Sequence, residues 1–262
     1  MSRSESRELG AVTVAAIIQA RLGSSRLPGK VLLNLGGWPV VDWVIERVAA
    51  AALVDEVIIA IPEGGGDDRL AIHLARHGRH VVRGSADDVL ARFALAASET
   101  SADVIVRVTA DCPLLDPATL DRVIASFREH PPVDYCSNTL IRTYPLGLDC
   151  EAVRKKALLT ANAEATTKPD REHVTPFLYQ RPQRFRLRSV EAPEWARRPA
   201  YRLTLDEPLD LEMLRRVMTM LRPSSPAELG IRRVIDLLGE DEELAAVNRA
   251  VPHRHVAKPE HW

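Results

Sequence analysis

Three cations and two glycines are packed into residues 19–30, QARLGSSRLPGK: Arg21, Arg26 and Lys30, with Gly23 and Gly29 where backbone can approach a ligand closely. Residues 9–41 contain no Asp or Glu, although the acids and bases of the chain otherwise balance to a formal net charge of -1. A cationic loop behind an apolar run suits a polyphosphate, because backbone N–H groups and fixed positive charge replace the solvation that its oxygens lose. Two carboxylates far along the chain complete the pattern. Asp111, in VTADCPLLD, and Asp206, in LTLDEPLDLE, each follow an apolar stretch and precede a proline. Taken singly, an Asp at such a place is more often a helix N-cap than a ligand. As a pair facing a polyphosphate loop they suit Mg²⁺, which is held by one or two carboxylates plus phosphate oxygens.

Other chemistries fit less well. Gly23 and Gly29 enclose five residues rather than the four of a P-loop, Pro28 removes an N–H donor, and Val31 replaces the hydroxyl that would hold Mg²⁺. No G-x-G-x-x-G follows the first apolar run, which weakens a dinucleotide oxidoreductase. The net charge gives no general attraction to nucleic acid or membranes, so any anion site is local. Cys112, Cys136 and Cys150 are odd in number without CxxC spacing, pointing to a reduced, cytoplasmic protein with no structural zinc.

The elements that must position these residues read as alternating strands and helices. Residues 12–18, 56–62, 80–83 and 103–109 are strand-like, and helical patterns fill 39–52, 67–78, 85–99 and 116–129. Repeated βαβ units give an α/β fold, a doubly wound and mostly parallel sheet whose ligands gather at the carboxyl ends of the strands. Beyond residue 133 the alternation breaks. Extended segments and turns at 133–153, helices over 151–165 and 171–181, and strands at 184–190 and 201–206 describe an excursion of about 135–195 and a return to the core. A strong amphipathic helix at 207–222 and two packing helices follow. The expected organisation is a disordered leader at 1–10, one domain at 11–252 and a tail at 253–262 containing His253, His255 and His261. No apolar run reaches the length of a membrane span.

AIIQARLGSSRLPGKVL, RGSADDVLARF, VRVTADCPLLDP, SNTLIRTYPLGLDCEAV, REHVTPF and RLTLDEPLDLE occur in an order and spacing that resembles the cytidylyltransferases making CMP-activated acidic sugars. The branch they resemble is the spore-coat polysaccharide type, a cousin of the acylneuraminate and 3-deoxy-manno-octulosonate enzymes. That resemblance implies a Rossmann-like nucleotide-diphospho-sugar transferase fold and a transfer of CMP from CTP to an anionic acceptor with loss of pyrophosphate. It implies Arg21 and Lys30, supported by Arg26, on the triphosphate, and Mg²⁺ on Asp111 and Asp206. It places Gln19, Ala20, Gly23, Ser24, Gly84, Ser85 and Arg107 around the nucleotide. Tyr144, Gly147, Asp149, Glu151, Arg171 and His173 fall in the acceptor region, where Arg142 or Arg171 would meet a negative group. It further implies a homodimer formed by the excursion, where the sequence itself offers Leu140, Leu146, Leu148 and Phe177 either as exposed apolar residues or as residues that pack within the chain. Two positions depart from the pattern: Ala110 precedes the metal aspartate where Gly is usual, and Leu146 replaces an Asp in the Tyr-Pro-Asp-Gly motif. A phosphorylated or phosphonate acceptor, or a homologue that only binds nucleotide, are the alternatives.

Overall fold

The computed structural model describes residues 12–129 and 131–252. The proposed leader and the histidine tail therefore lie outside the described residues. The central strand β1 (Val14–Gln19) is buried on both faces, as its unbroken apolar sequence requires. Its side chains alternate: Val14, Ala16 and Ile18 enter one layer of core, Ala15 and Ile17 the other. Full burial of each such Val or Ile contributes roughly 1.5–3 kcal/mol, so the strand is held firmly from both sides.

Parallel to β1 run β4 (Glu56–Pro62) on one side and β6 (Val104–Thr109) on the other, with β5 (His80–Gly84) beyond β4. The sheet is extended by β7 (Tyr135–Ser137), β8 (Glu151–Arg154) and β9 (Leu187–Ser189) into the seven-stranded order β5-β4-β1-β6-β8-β7-β9. Only β8 runs against its neighbours. A separate antiparallel pair, β2 (Asn34–Leu35) and β3 (Trp38–Pro39), lies outside this sheet. The mostly parallel, doubly wound architecture is the expected one.

Helices α1 (Val40–Ala49), α2 (Asp68–Arg76) and α4 (Pro117–Arg128) cover one face, and α3 (Val89–Ser98) with α5 (Lys155–Glu164) and α7 (Pro176–Tyr179) covers the other. Asp88 and Asp116 cap α3 and α4, each carboxylate accepting a backbone N–H at 2.9 Å. A third core is formed by α8 (Pro208–Leu221), α9 (Ile231–Glu240) and α10 (Glu242–Ala246) against Leu35, Val40 and Trp43.

Three details differ from the sequence reading. Residues 151–154 form β8 rather than a helical turn, because they pair with both β6 and β7. Residues 201–206 are extended but add no strand to the main sheet. They lie between Leu146, which exchanges backbone hydrogen bonds with Tyr201 and Leu203, and Asp111, whose carbonyl accepts from Leu205 N–H. The break expected at Lys168 and Pro169 is instead a helix start, with Pro169 in the first turn of α6 (Lys168–His173), and the chain turns sharply at Val174 with φ 73°.

Candidate active site

The carboxyl ends of β1 and β6 open into a cavity of about 220 Å³, and a second of about 200 Å³ adjoins it. Arg26, Arg107, Thr109, Asp111 and Asp206 line both. A larger and more open groove between α8 and α10, about 650 Å³, lies elsewhere and includes none of the loop cations. Size does not identify the site here; the convergence of charge at the strand ends does.

At the junction Lys30 is the organising residue. Gly29, with φ 67°, turns the loop so that the Lys30 ammonium points inward. Nζ donates to Asp111 Oδ2 at 2.8 Å, to Asp206 Oδ1 at 2.7 Å and to the Leu205 carbonyl at 2.8 Å. Segments 81 and 176 residues away in sequence are thus joined through one cation. Burial works against the charge on Lys30, but the two carboxylates outweigh it and hold the pKa above its ordinary value. Burial likewise opposes ionisation of Asp111, and Lys30 together with the Thr109 hydroxyl at 2.5 Å holds that carboxyl below its usual range.

Asp206 is braced from behind. Asp210, fully buried, accepts from the backbone N–H of Asp206 and Glu207, each at 2.9 Å, and from Arg202 at 2.7 and 3.0 Å. Asp210 and Glu207 form the capping box of α8, so the helix start and the carboxylate are set by the same bonds. Arg26 reaches over this end, 3.0 Å from Glu207 and 3.4 Å from Asp206. Arg21 lines the first cavity as an exposed cation. Of the three loop cations, then, two are already joined to carboxylates.

Gln19, Ala20, Gly23, Ser24, Arg107 and His173 also line the first cavity. Burial, reinforced by Arg107, lowers the pKa of His173 against the opposing charges of Glu172 and Glu151. Asp149 and Glu151 line the second cavity, where Glu151 accepts from Tyr135 Oη at 2.5 Å and Thr175 Oγ1 at 2.7 Å and pairs with Arg107. Burial pushes the Glu151 carboxyl up, and Arg107 with these hydroxyls brings it below the usual range.

Several expected site residues have other work. Gly84 and Ser85 line neither cavity: Gly84 gives room to Arg92, whose Cγ would lie 3.1 Å from an added Cβ, and the Ser85 carbonyl accepts from Arg92 Nη1. Tyr144 is buried in the third core. Gly147, at φ 102°, presses against the backbone of residues 203–204. Arg171 is held by Asp88 and Asn162, tying α6 to the start of α3, and Arg142 forms a two-bond pair with Asp149 at 2.8 Å each. Neither arginine is a free receptor for an acceptor's negative group. Leu140, Leu148 and Phe177 are buried within the chain, so they supply no exposed interface.

Arg92 was missed by the sequence reading. It is 2% exposed, yet it lines the first cavity. Its signal was a lone Arg in VLARFALAAS, flanked by the buried positions Val89, Leu90, Phe93 and Ala96.

A model of the family described as Cytidylyltransferase matches residues 15–240. The chain belongs to the cytidylyltransferase family. It is 34% identical over 239 residues to the spore coat polysaccharide biosynthesis protein SpsF of Bacillus subtilis, covering 89% of this chain and 97% of that protein. It is 41% identical over 124 residues to the 3-deoxy-manno-octulosonate cytidylyltransferase of Geobacter sulfurreducens, covering 47% and 48% of the two chains. A cytidylyltransferase structure from Leptospira borgpetersenii superposes with a TM-score of 0.83 at 27% identity, over 94% of this chain and 100% of that one. Within the cytidylyltransferase family, the match to the spore-coat protein agrees with the resemblance read from the motifs. Among the described residues no helix is long and apolar enough to cross a membrane.

Proposed function

We propose that this cytidylyltransferase moves CMP from CTP to the hydroxyl of an acidic sugar or similar anionic acceptor, releasing pyrophosphate, in the assembly of a surface glycan. The observation that carries the reading is the meeting of Lys30, Asp111 and Asp206 where the two cavities join. One cavity takes the nucleotide beside Arg21 and the glycine loop. The other takes the acceptor, with Arg26 on its wall and Arg107 held there by Glu151.

The donor set fits Mg²⁺. Two carboxylates already converge on one positive centre, and they offer hard oxygen ligands, leaving phosphate and water to complete the shell. Asp111 and Asp206 would hold the ion, which when bound lowers the acceptor hydroxyl's pKa and neutralises phosphate charge. Lys30 then shifts its hydrogen bonds from the carboxylates to phosphate oxygens, and Arg21 and Arg26 offset the charge of the departing pyrophosphate. Each such preorganised cation is worth roughly 2–4 kcal/mol of transition-state stabilisation. Asp210 and Arg202 keep Asp206 in place as this exchange occurs.

The similarity to the 3-deoxy-manno-octulosonate enzyme supports a sugar acid as acceptor. The test is release of pyrophosphate from CTP on a panel of sugar acids, with and without Mg²⁺. Failure of the purified chain to bind CTP would remove the reading at its first step. As part of the same proposal two copies pair through the excursion, where Ile141 and Leu159 remain exposed. A monomer mass by light scattering at micromolar concentration would remove that part alone.

A further inference from the structure

Three residues lining the first cavity have a buried polar atom without a partner among the described residues, and the two whose side chains are in no ion pair are of opposite kinds. One is Oε1 of Gln19, an acceptor; the other is Nε of Arg92, a donor. Both residues line the cavity. Gln19 ends β1, and the alternation that sends Ala15 and Ile17 toward α3 puts it on the same face of the sheet. Arg92 lies in the first turns of α3, above Gly84. Its Nη1 donates to the Ser85 carbonyl, and among the described residues no carboxylate pairs with it directly. Burial and the charge of Arg21 both weigh against its charge, while Asp67 and Asp88 favour it. Arg107 also has a buried Nε without a partner, but its charge is committed to Glu151.

The kind of ligand follows from the pairing. A phosphate would satisfy Arg92 but would turn its own acceptor oxygens toward the Gln19 carboxamide oxygen. A nucleobase edge brings donors and acceptors side by side. We infer that Gln19 and Arg92 read the base: Gln19 Oε1 accepts from the 4-amino group of cytosine, and Arg92 donates to N3 and O2. Uracil turns an N–H toward the guanidinium at N3 and a carbonyl toward Gln19 at position 4. Both contacts are then mismatched, and buried polar groups left without partners are what make such a site selective. This inference rests on reading the cavity as a CTP site.

Calorimetric titration of the full chain with CTP, UTP and pyrophosphate in Mg²⁺ buffer tests it without knowledge of the acceptor. The unaltered chain is expected to prefer CTP over UTP. In Gln19→Met and in Arg92→Met that preference falls about tenfold or more, while pyrophosphate affinity is unchanged. Circular dichroism establishes that each variant is folded, and Gln19→Met carries the test alone if Arg92→Met is not. An unchanged CTP-to-UTP ratio in folded Gln19→Met overturns the inference. So does a parallel loss of pyrophosphate binding in Arg92→Met, which would make that arginine a phosphate anchor. An unaltered chain that binds no CTP would instead remove the underlying reading of the cavity.

Discussion

The parallel half of the sheet, β5-β4-β1-β6, and the irregular half, β8-β7-β9 with its loops, use charge in opposite ways. In the first, the strands are apolar and the charges gather at carboxyl ends, where Arg21, Arg92 and Asp111 face the cavity. In the second, charged side chains are bound to one another: Arg142 to Asp149, Arg171 to Asp88, Arg202 to Asp210, and Glu151 to Arg107, Tyr135 and Thr175. The physical difference is the length of the elements. Strands of five to seven residues in one half bury enough apolar surface to hold themselves, whereas β7, β8 and β9 have three or four residues and rely on ion pairs to fix their loops. The charges at the strand ends of the first half therefore face the cavity, whereas the charges named from the second half act mainly as braces, some of them on partners in the first.

Asp111→Asn is the sharpest way to test that division. Asp111 sits at the end of a parallel strand, so the substitution is expected to lower kcat about 10³-fold while leaving the unfolding transition close to that of the unaltered chain. Lys30 keeps Asp206 and the Leu205 carbonyl as partners. Pyrophosphate release and thermal unfolding on the same sample decide it. An unfolded Asp111→Asn protein would break the comparison, because the strand-end charge would then be a brace too.

Glu151→Gln should do the reverse. It leaves the Arg107 guanidinium buried without its carboxylate, and removing one member of a buried pair costs about 3 kcal/mol. The sign with pH is fixed by the direction of its pKa. Because the folded value lies below 4.5, the stabilisation is present above that pH and is lost as pH falls through the folded pKa. Urea unfolding of the unaltered chain should weaken on acidification in that window, and the variant should lack this part of the slope.

The same division explains what could be read in the sequence. Apolar runs at 12–18, 56–62 and 103–109 announce a two-sided parallel sheet, and an acidic residue just past such a run has few places to point except the crevice. Lys30, Asp111 and Asp206 were legible for that reason. Residues of the braced half were not, since nothing in Arg171 or Arg142 distinguishes a receptor for substrate from a partner for Asp88 or Asp149. Arg47 shows the limit within a regular helix. Its spacing in α1 marks it as inward-facing, but only the fold shows that its buried guanidinium donates to the carbonyls of Leu115, Pro226 and Leu229. Residues 201–206 have the composition of a strand and are extended, yet their partners are a loop carbonyl and a single bridge.

Gly147→Ala probes how the braced half reaches the reacting one. The glycine has φ 102°, and an added Cβ would lie 2.5 Å from Thr204 N, in the segment that carries Asp206. Backbone strain and displacement together are expected to cost about 2 kcal/mol of stability. If the brace acts through Asp206, Gly147→Ala also lowers kcat while KM for CTP changes little. A variant that is destabilised but fully active at low temperature would separate the two halves more completely than the hydrogen bonds suggest.

The smallest effect belongs to His173, which ends α6 and lines the first cavity although it comes from the braced half. Burial holds its pKa below 6.5 in the folded chain. The unfolded chain therefore takes up a proton first as pH falls, and stability declines from about pH 6.5 down to the folded pKa, below which the loss is complete. His173→Gln should remove that decline, a change of well under about 1 kcal/mol, visible as the difference between urea midpoints at pH 7.5 and pH 5. A midpoint difference that survives the substitution would assign the slope to another group. A decline that disappears would assign the slope to the His173 imidazole and to its burial at the end of α6.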